Sequence, residues 1–242
     1  MTISNNPTDL QHIIKSLQAN FFDVHLAQTK AEARTKMLAM IPDDIRVGVG
    51  CSSTLMQIGV LDSLTKRGNE VVNPFNEEYI HKRDDPAVYQ RFLDTAREAL
   101  KTDLFLASAN AVTKDGKIVN TDRVGNRVAG TIFAVPWVIM PIGINKIVNG
   151  LHDAAYRTKN VISPIHTSYR RRKTPCAALG KCTDCAGPTR ICNITVILEK
   201  KPLGTNFSVI LVNEDLGLSY DPAWDEERIN KIKFNYRQNM MG

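Results

Sequence analysis

Four cysteines, Cys176, Cys182, Cys185 and Cys192, stand in a C-x5-C-x2-C-x6-C pattern within one short stretch. The N-terminus, MTISNNPTDLQ, has no basic segment, apolar core or small-residue cleavage site, so a cytoplasmic location is expected. In that reducing compartment disulfides are not expected, and four clustered thiols point instead to ligand chemistry. Count and spacing favour a single metal centre over a redox pair at Cys182 and Cys185 or four unligated thiols. Thiolates serve tetrahedral zinc and a 4Fe-4S cluster alike, and the spacing is neither that of paired zinc knuckles nor the ferredoxin run. Gly180, Gly187 and Pro188 let the chain wrap tightly around either. Cys51 stands apart and reads as a small buried residue.

A second concentration of chemistry lies between residues 103 and 146. Asn110, Thr113, Asn120, Asp122, Gly125, Asn126, Arg127, Gly143, Asn145 and Lys146 crowd a segment bracketed by two apolar runs, DLFLASA and WVIMPIG. Asparagine amides can read donors and acceptors, while Arg127 and Lys146 can neutralise a carboxylate or a phosphate. Each of these residues also has a bland role, as a turn cap or a surface ion pair, but their concentration between buried strands favours a site. The loop Gly48-Val49-Gly50-Cys51-Ser52-Ser53-Thr54 adds backbone amides and hydroxyls at the start of a helix, where an anion is welcome; serine capping is the plain alternative. Gly48, Gly50, Ser52, Ser53 and Thr54 are therefore expected to join the residues of the central segment around one small anionic ligand: a carboxylate, an acyl-CoA or a phosphorylated compound. His152 and His166 have no nucleophile beside them and read as surface or packing residues.

The elements that would position these residues follow from periodicity. The two apolar runs have the length and continuity of strands covered on both faces. Between them, Asp115-Gly116 separates short β-prone runs and predicts a hairpin, since glycine accepts the positive φ of its turn. Thr8 to Leu17 carries an amphipathic stripe and leads to the strand-like FFDVHL. Thr29 and Glu32 have capping-box spacing, Ile45 to Val49 reads as a strand before the Gly48 loop, Glu70 to Val72 as another, and Asp85-Pro86 as a helix start. Repeated β-α alternation argues for a mostly parallel sheet flanked by helices, whose ligands bind over strand ends. A helix after Lys146 is followed by Pro164, which is expected to interrupt the chain. Ile194 to Leu198 and Phe207 to Val212 then return to strands, making residues 174–193 a cysteine-rich metal-loop excursion from a single α/β domain spanning 1–242. Trp224 to Asn239 predicts a final helix that packs on the body or mediates a homodimer.

The motifs at Ser108-Ala109-Asn110-Ala111 with Thr113, at Asp115 to Asn120, at Asp122 and at Gly125-Asn126-Arg127-Val128 closely resemble the LUD (lactate-utilisation) domain family. Gly143 to Val148 and the Gly48 to Thr54 loop extend the resemblance, which runs roughly from Ile45 to Tyr220. It implies a fold similar to CoA-transferases, ribose-5-phosphate isomerase and formyltetrahydrofolate cyclo-ligase. Because those folds use acids near this region, it makes Asp122 the candidate general base or covalent carboxylate. Some LUD proteins work with iron-sulfur partners in oxidising L-lactate, which implies a role in lactate utilisation or electron transfer, a redox partner protein, and a 4Fe-4S cluster in preference to zinc. The runner-up is a CoA-transferase-like or cyclo-ligase-like enzyme with structural zinc, and a third reading is a metal-stapled interaction module using Arg170-Arg171-Arg172-Lys173. No flavin or nicotinamide fingerprint supports an independent dehydrogenase.

Bulk properties narrow the field. A 242-residue chain with 43% hydrophobic and 23% charged residues can bury a sizeable core, and no apolar run has membrane-spanning length. The net charge of +6 suits an anionic ligand, but apart from Arg170 to Lys173 the cations are scattered, so nucleic acid is not indicated.

Overall fold

The computed structural model describes residues 7–82 and 84–238. Its backbone is a six-stranded, wholly parallel sheet built from β1 (Asp23–Ala27), β2 (Val47–Val49), β3 (Val71–Val72), β4 (Leu104–Leu106), β7 (Trp137–Gly143) and β10 (Asn206–Val212), in the order β1-β10-β7-β4-β2-β3. A second, smaller mixed sheet joins β5 (Ala111–Thr113), β6 (Ile118–Asp122), β8 (Ile147–Val148) and β9 (Ile194–Leu198), in the order β8-β5-β6-β9. The expected α/β architecture, a mostly parallel sheet flanked by helices with a hairpin at β5-β6, is what the chain adopts.

The central strands are buried on both faces. Phe105, Val138, Met140, Val209 and Leu211 enter one apolar cluster, together with Leu10, Ile13 and Leu17 of the first helix, Pro7–Ala19. Leu104, Leu106, Ile139, Ile210 and Val212 face the other, against Met37 of Lys30–Met40 and Leu55 and Leu64 of the helices after β2. Adjacent residues of one strand thus feed opposite cores, which is why these strands read as continuous apolar runs.

Local chemistry sets the boundaries. Thr29 Oγ1 accepts the Glu32 amide at 3.1 Å, while the Glu32 carboxylate reaches back one residue further than expected, to the Gln28 amide at 2.7 Å. Asp85 caps Pro86–Glu98 through the Ala87 and Val88 amides. Gly116 turns the hairpin at φ 82°, and a Cβ there would lie 2.6 Å from the Ser16 carbonyl, so the turn packs directly on the first helix.

One expectation needs correction. Pro164 does not interrupt the chain: helix Leu151–Arg157 runs through a π-helical turn, Thr158–Ile162, into Ser163–Tyr169, and Pro164 sits in the first turn of that last helix, where a missing N–H costs little. The segment between β9 and β10 connects the two strands and carries the chain from the small sheet to the large one, where β10 inserts between β1 and β7. The final helix is Glu226–Gln238, and the Asn239 end of the expected helix lies outside the described residues. Its Ile229, Ile232 and Tyr236 pack with Leu218, Tyr220, Trp224 and Val161. Among the described residues no helix is long and apolar enough to cross a membrane.

Candidate functional site

β7, β4 and β2 are neighbours in the parallel sheet, so their carboxyl ends emerge side by side at one edge. Each continues into a polar segment. β2 leads to Ser52, Ser53 and Thr54; β4 leads to Ser108 and Asn110; β7 leads, through the 3₁₀ turn Ile144–Lys146, to Lys146. These segments, with the end of β6 and the turn after it, enclose a cavity of about 200 Å³. Its wall includes Ser52, Ser53, Thr54, Asn110, Asp122, Asn126, Arg127 and Lys146, eight of the residues singled out from the sequence.

The other candidates lie elsewhere. Gly48 is inside β2, where a Cβ would fall 2.1 Å from the Ala99 carbonyl oxygen; it is required by packing. Gly50 lies behind the wall, against Arg127 Cγ and the Phe105 ring. Thr113 is buried in the hairpin, where its hydroxyl bonds Asp115. Asn120 Oδ1 accepts the Asn110 amide at 3.1 Å, and so holds the wall rather than facing the cavity. Gly125 takes a φ of 100° at the start of Asn126–Ala129. A Cβ on Gly143 would meet Leu216 N at 2.6 Å, and Asn145, fully buried, spends its amide on Ser219 O and Leu216 N, both at 2.9 Å.

Within the wall, Arg127 and Asp122 form an inward-facing pair. Arg127 Nη2 is 2.8 Å and Nε 2.9 Å from Asp122 Oδ1, while Asp122 Oδ2 accepts the Val128 amide at 3.2 Å. The guanidinium also donates to Ser108 O, Asn110 Oδ1 and Thr121 O, at 3.2, 2.9 and 2.7 Å. With both carboxylate oxygens engaged and the guanidinium bonded to four residues, the pair ties β6 to the loop after β4.

Lys146 is different. It is 5% exposed and forms no ion pair among the described residues; its Nζ lies 2.7 Å from Ser108 Oγ and 2.8 Å from Thr54 Oγ1. Burial, followed by the field of Arg127, lowers its pKa from 10.5 to about 7. At neutral pH it is as much amine as cation.

The dependable positive charge comes from residues that the sequence reading placed elsewhere or passed over. Arg123, Arg170 and Arg172 line the cavity, while Asp122 is the one carboxylate among the described lining residues. The basic run at 170–173 is therefore partly a wall of the site, carried there by the helix Ser163–Tyr169. His166 also lines the cavity, with Nδ1 2.5 Å from the Tyr236 hydroxyl, whereas the His152 side chain is exposed. Phe75, Tyr79 and Phe92 add an aromatic side, with Tyr79 stacked on Phe92 at 4.1 Å between centroids. Cys51 lines the same space, and burial raises its thiol pKa. Ser108 was legible as a hydroxyl at the end of a buried run; its pairing with Lys146 required the strand order.

The four-cysteine segment forms a small cavity of its own, lined by Cys176, Cys182, Cys185 and Cys192 together. After the short helix Pro175–Leu179 the chain has neither helix nor strand until β9, with Gly180 and Asp184 at positive φ. The donor set suits a thiolate-ligated centre, and polar groups already address three sulfurs: Ser163 Oγ is 3.0 Å from Cys192 Sγ, Thr174 Oγ1 3.3 Å from Cys176 Sγ, and the Asp184 amide donates to Cys182 Sγ at 3.3 Å. Among the described residues, no three His, Cys, Asp or Glu side chains stand close enough to share an ion, so binding one would draw the loop inward. Ser163, Ile191 and Cys192 line both this cavity and the larger one.

Against known families, residues 10–212 match the model of the LUD domain. A comparison with curated proteins returned no match. Among solved structures, the chain is similar to a DUF162 family protein from Deinococcus radiodurans, with 10% identity, 87% of this chain and 99% of that chain covered, and a TM-score of 0.46.

Proposed function

This chain belongs to the LUD domain family, and from that premise we propose a metabolic protein of the lactate-utilisation type, in which the strand-end cavity takes a small anionic ligand and the four cysteines hold a metal centre, a 4Fe-4S cluster in preference to zinc. The observation that carries this reading is the shared wall: Ser163, Ile191 and Cys192 separate the cationic cavity from the cysteine cavity. A cluster held there by Cys176, Cys182, Cys185 and Cys192 would supply one-electron transfer next to the ligand. Arg123, Arg170 and Arg172 attract and orient the anion, while the Asp122–Arg127 pair keeps the wall in register. On this reading Asp122 positions Arg127 rather than serving as a base, because both of its oxygens are already engaged. Hydrogen bonds from Asp184 N–H, Ser163 and Thr174 set the environment of the sulfurs. The return of the chain to the small sheet through β9 and to the large sheet through β10 supports reading the cysteine loop as an excursion of one domain.

The test is anaerobic purification followed by metal and sulfide analysis. The expected result is about four iron and four sulfide per chain with a broad absorption near about 400 nm. Stoichiometric zinc without iron would favour the structural-zinc reading, and neither metal after anaerobic reconstitution would remove the metal centre.

A further inference from the structure

Neither the anion-binding wall nor the cysteine loop uses the contact between Ser108 and Lys146. Both side chains are almost wholly buried, at 2% and 5% exposure, yet both border the cavity. The Ser108 hydroxyl donates to the Pro141 carbonyl oxygen at 2.7 Å and accepts from Lys146 Nζ at 2.7 Å, and the same Nζ donates to Thr54 Oγ1 from another side at 2.8 Å. A nucleophile bonded to a base, with the base bonded to an orienting group, is the geometry by which a hydroxyl is activated for acyl transfer. Three adjacent strand ends deliver the three residues, so the arrangement belongs to the rigid part of the fold.

We propose that Ser108 is an acyl-accepting nucleophile, with Lys146 as its general base and Thr54 holding the amine, in a site that takes a small carboxylic ester bearing a second, anionic group. The proposal rests on the reading of the cavity as a ligand site and adds a reaction to it. With Lys146 deprotonated, the Ser108 hydroxyl turns from Pro141 O to Nζ; Oγ then attacks the ester carbonyl carbon, the carbonyl π pair moves onto its oxygen, and the hydroxyl proton passes to Nζ. Collapse of the intermediate breaks the bond to the alkoxy oxygen, which leaves as the alcohol with the proton returned from Nζ. Water then attacks the acyl-serine, gives a proton to Nζ and releases the acid, and that proton restores the Ser108 hydroxyl. Ester and water become acid and alcohol, with no oxidant or reductant. Arg123, Arg170 and Arg172 supply the charge that selects an ester with an anionic tail.

The amine is available as a base because burial without a carboxylate partner brings its pKa to about 7. The charged and titratable groups sharing the cavity are the Asp122–Arg127 pair, Arg123, Arg170, Arg172, His166, Cys51, Cys192, Tyr79 and Tyr236. Of these, His166 is the one whose ordinary titration range overlaps that of Lys146.

The experiment labels the intact protein with a fluorophosphonate, locates the adduct by peptide mass, and follows hydrolysis of the 4-nitrophenyl monoester of succinic acid. The expected result is a single adduct on Ser108 whose rate climbs with pH through about 7 and then levels. Ser108→Ala abolishes the adduct, Lys146→Met slows it by about 100-fold or more, and His166→Gln leaves the midpoint in place. An adduct elsewhere, no adduct, an unchanged rate in folded Lys146→Met, or a midpoint lost with His166 would overturn the proposal. If Lys146→Met does not fold, the wild-type pH profile, the His166→Gln profile and Ser108→Ala decide the question. Thermal shifts with succinate separate the two readings: stabilisation without an adduct overturns the dyad and leaves the ligand site standing, whereas the absence of both overturns both.

Discussion

At the scale of residues, the site is governed by which charges are paired inside it. Lys146 has no ion partner among the described residues, and its lowered pKa makes stability depend on pH. Between about 7 and 10.5 the unfolded chain keeps a proton that the folded chain has lost, so the contribution is present above 10.5 and disappears as pH falls through about 7. Lys146→Met should flatten that part of the profile. Thermal melts of both proteins from about pH 6 to 9 should show the wild type gaining on the variant as pH rises, and parallel profiles would refute the assignment. Arg127 follows the opposite logic. Its inward-facing pair with Asp122 holds two segments together, so Arg127→Ala strands a carboxylate and should cost about 3 kcal/mol or more in denaturant titration. A loss within about 0 to 1 kcal/mol would mean that the pair behaves like one on the surface.

At the scale of elements, glycine and cysteine divide between scaffold and site. Gly48 sits where a Cβ would be 2.1 Å from Ala99 O and 2.6 Å from Thr102 Oγ1, so Gly48→Ala must push β2 away from the turn before β4. The expected cost is about 3 kcal/mol or more, visible as a lowered melting temperature even without ligand. A nearly neutral substitution would return Gly48 to the list of ligand residues. The cysteine loop should behave independently of the sheet. Cys182→Ser removes one of four thiols in a segment without helix or strand, so metal retention measured anaerobically should fall while far-UV circular dichroism stays close to wild type. Unimpaired metal retention would exclude Cys182 as a ligand.

At the scale of the whole molecule, the cavity is closed from several directions. The helix Glu226–Gln238 lies beyond the residues that match the family model, yet its Tyr236 borders the cavity and packs in the same apolar cluster as Trp224 and Leu218. The net charge of +6 gains a location, because three arginines face one space. Carboxylates, acyl-CoAs and sugar phosphates should therefore stabilise the protein selectively. A ligand present at about 100 times its dissociation constant adds about 2.7 kcal/mol, which a thermal melt resolves. Equal melting temperatures across all three classes would argue against an anion site.

The α/β class, the two buried central strands, the hairpin and the cysteine pattern were legible because each is written in neighbouring residues: alternation of elements, continuous apolar runs, an Asp-Gly turn, thiols at short spacing. The rest depended on contacts between distant parts of the chain. Sequence spacing grouped Gly48 and Asn145 with Ser52 and Lys146, but only the packing shows Gly48 inside a strand and Asn145 bonded to a backbone 74 residues away. The order β7-β4-β2 brings Thr54, Ser108 and Lys146 together across separations of 92 and 38 residues. Burial there brings a lysine that reads as a permanent cation down to a pKa of about 7, because the cost of desolvating a charge depends on the surrounding fold and leaves no mark in local sequence. Arg170 and Arg172 likewise read as part of an interaction surface, and only the helix before them places them at the cavity.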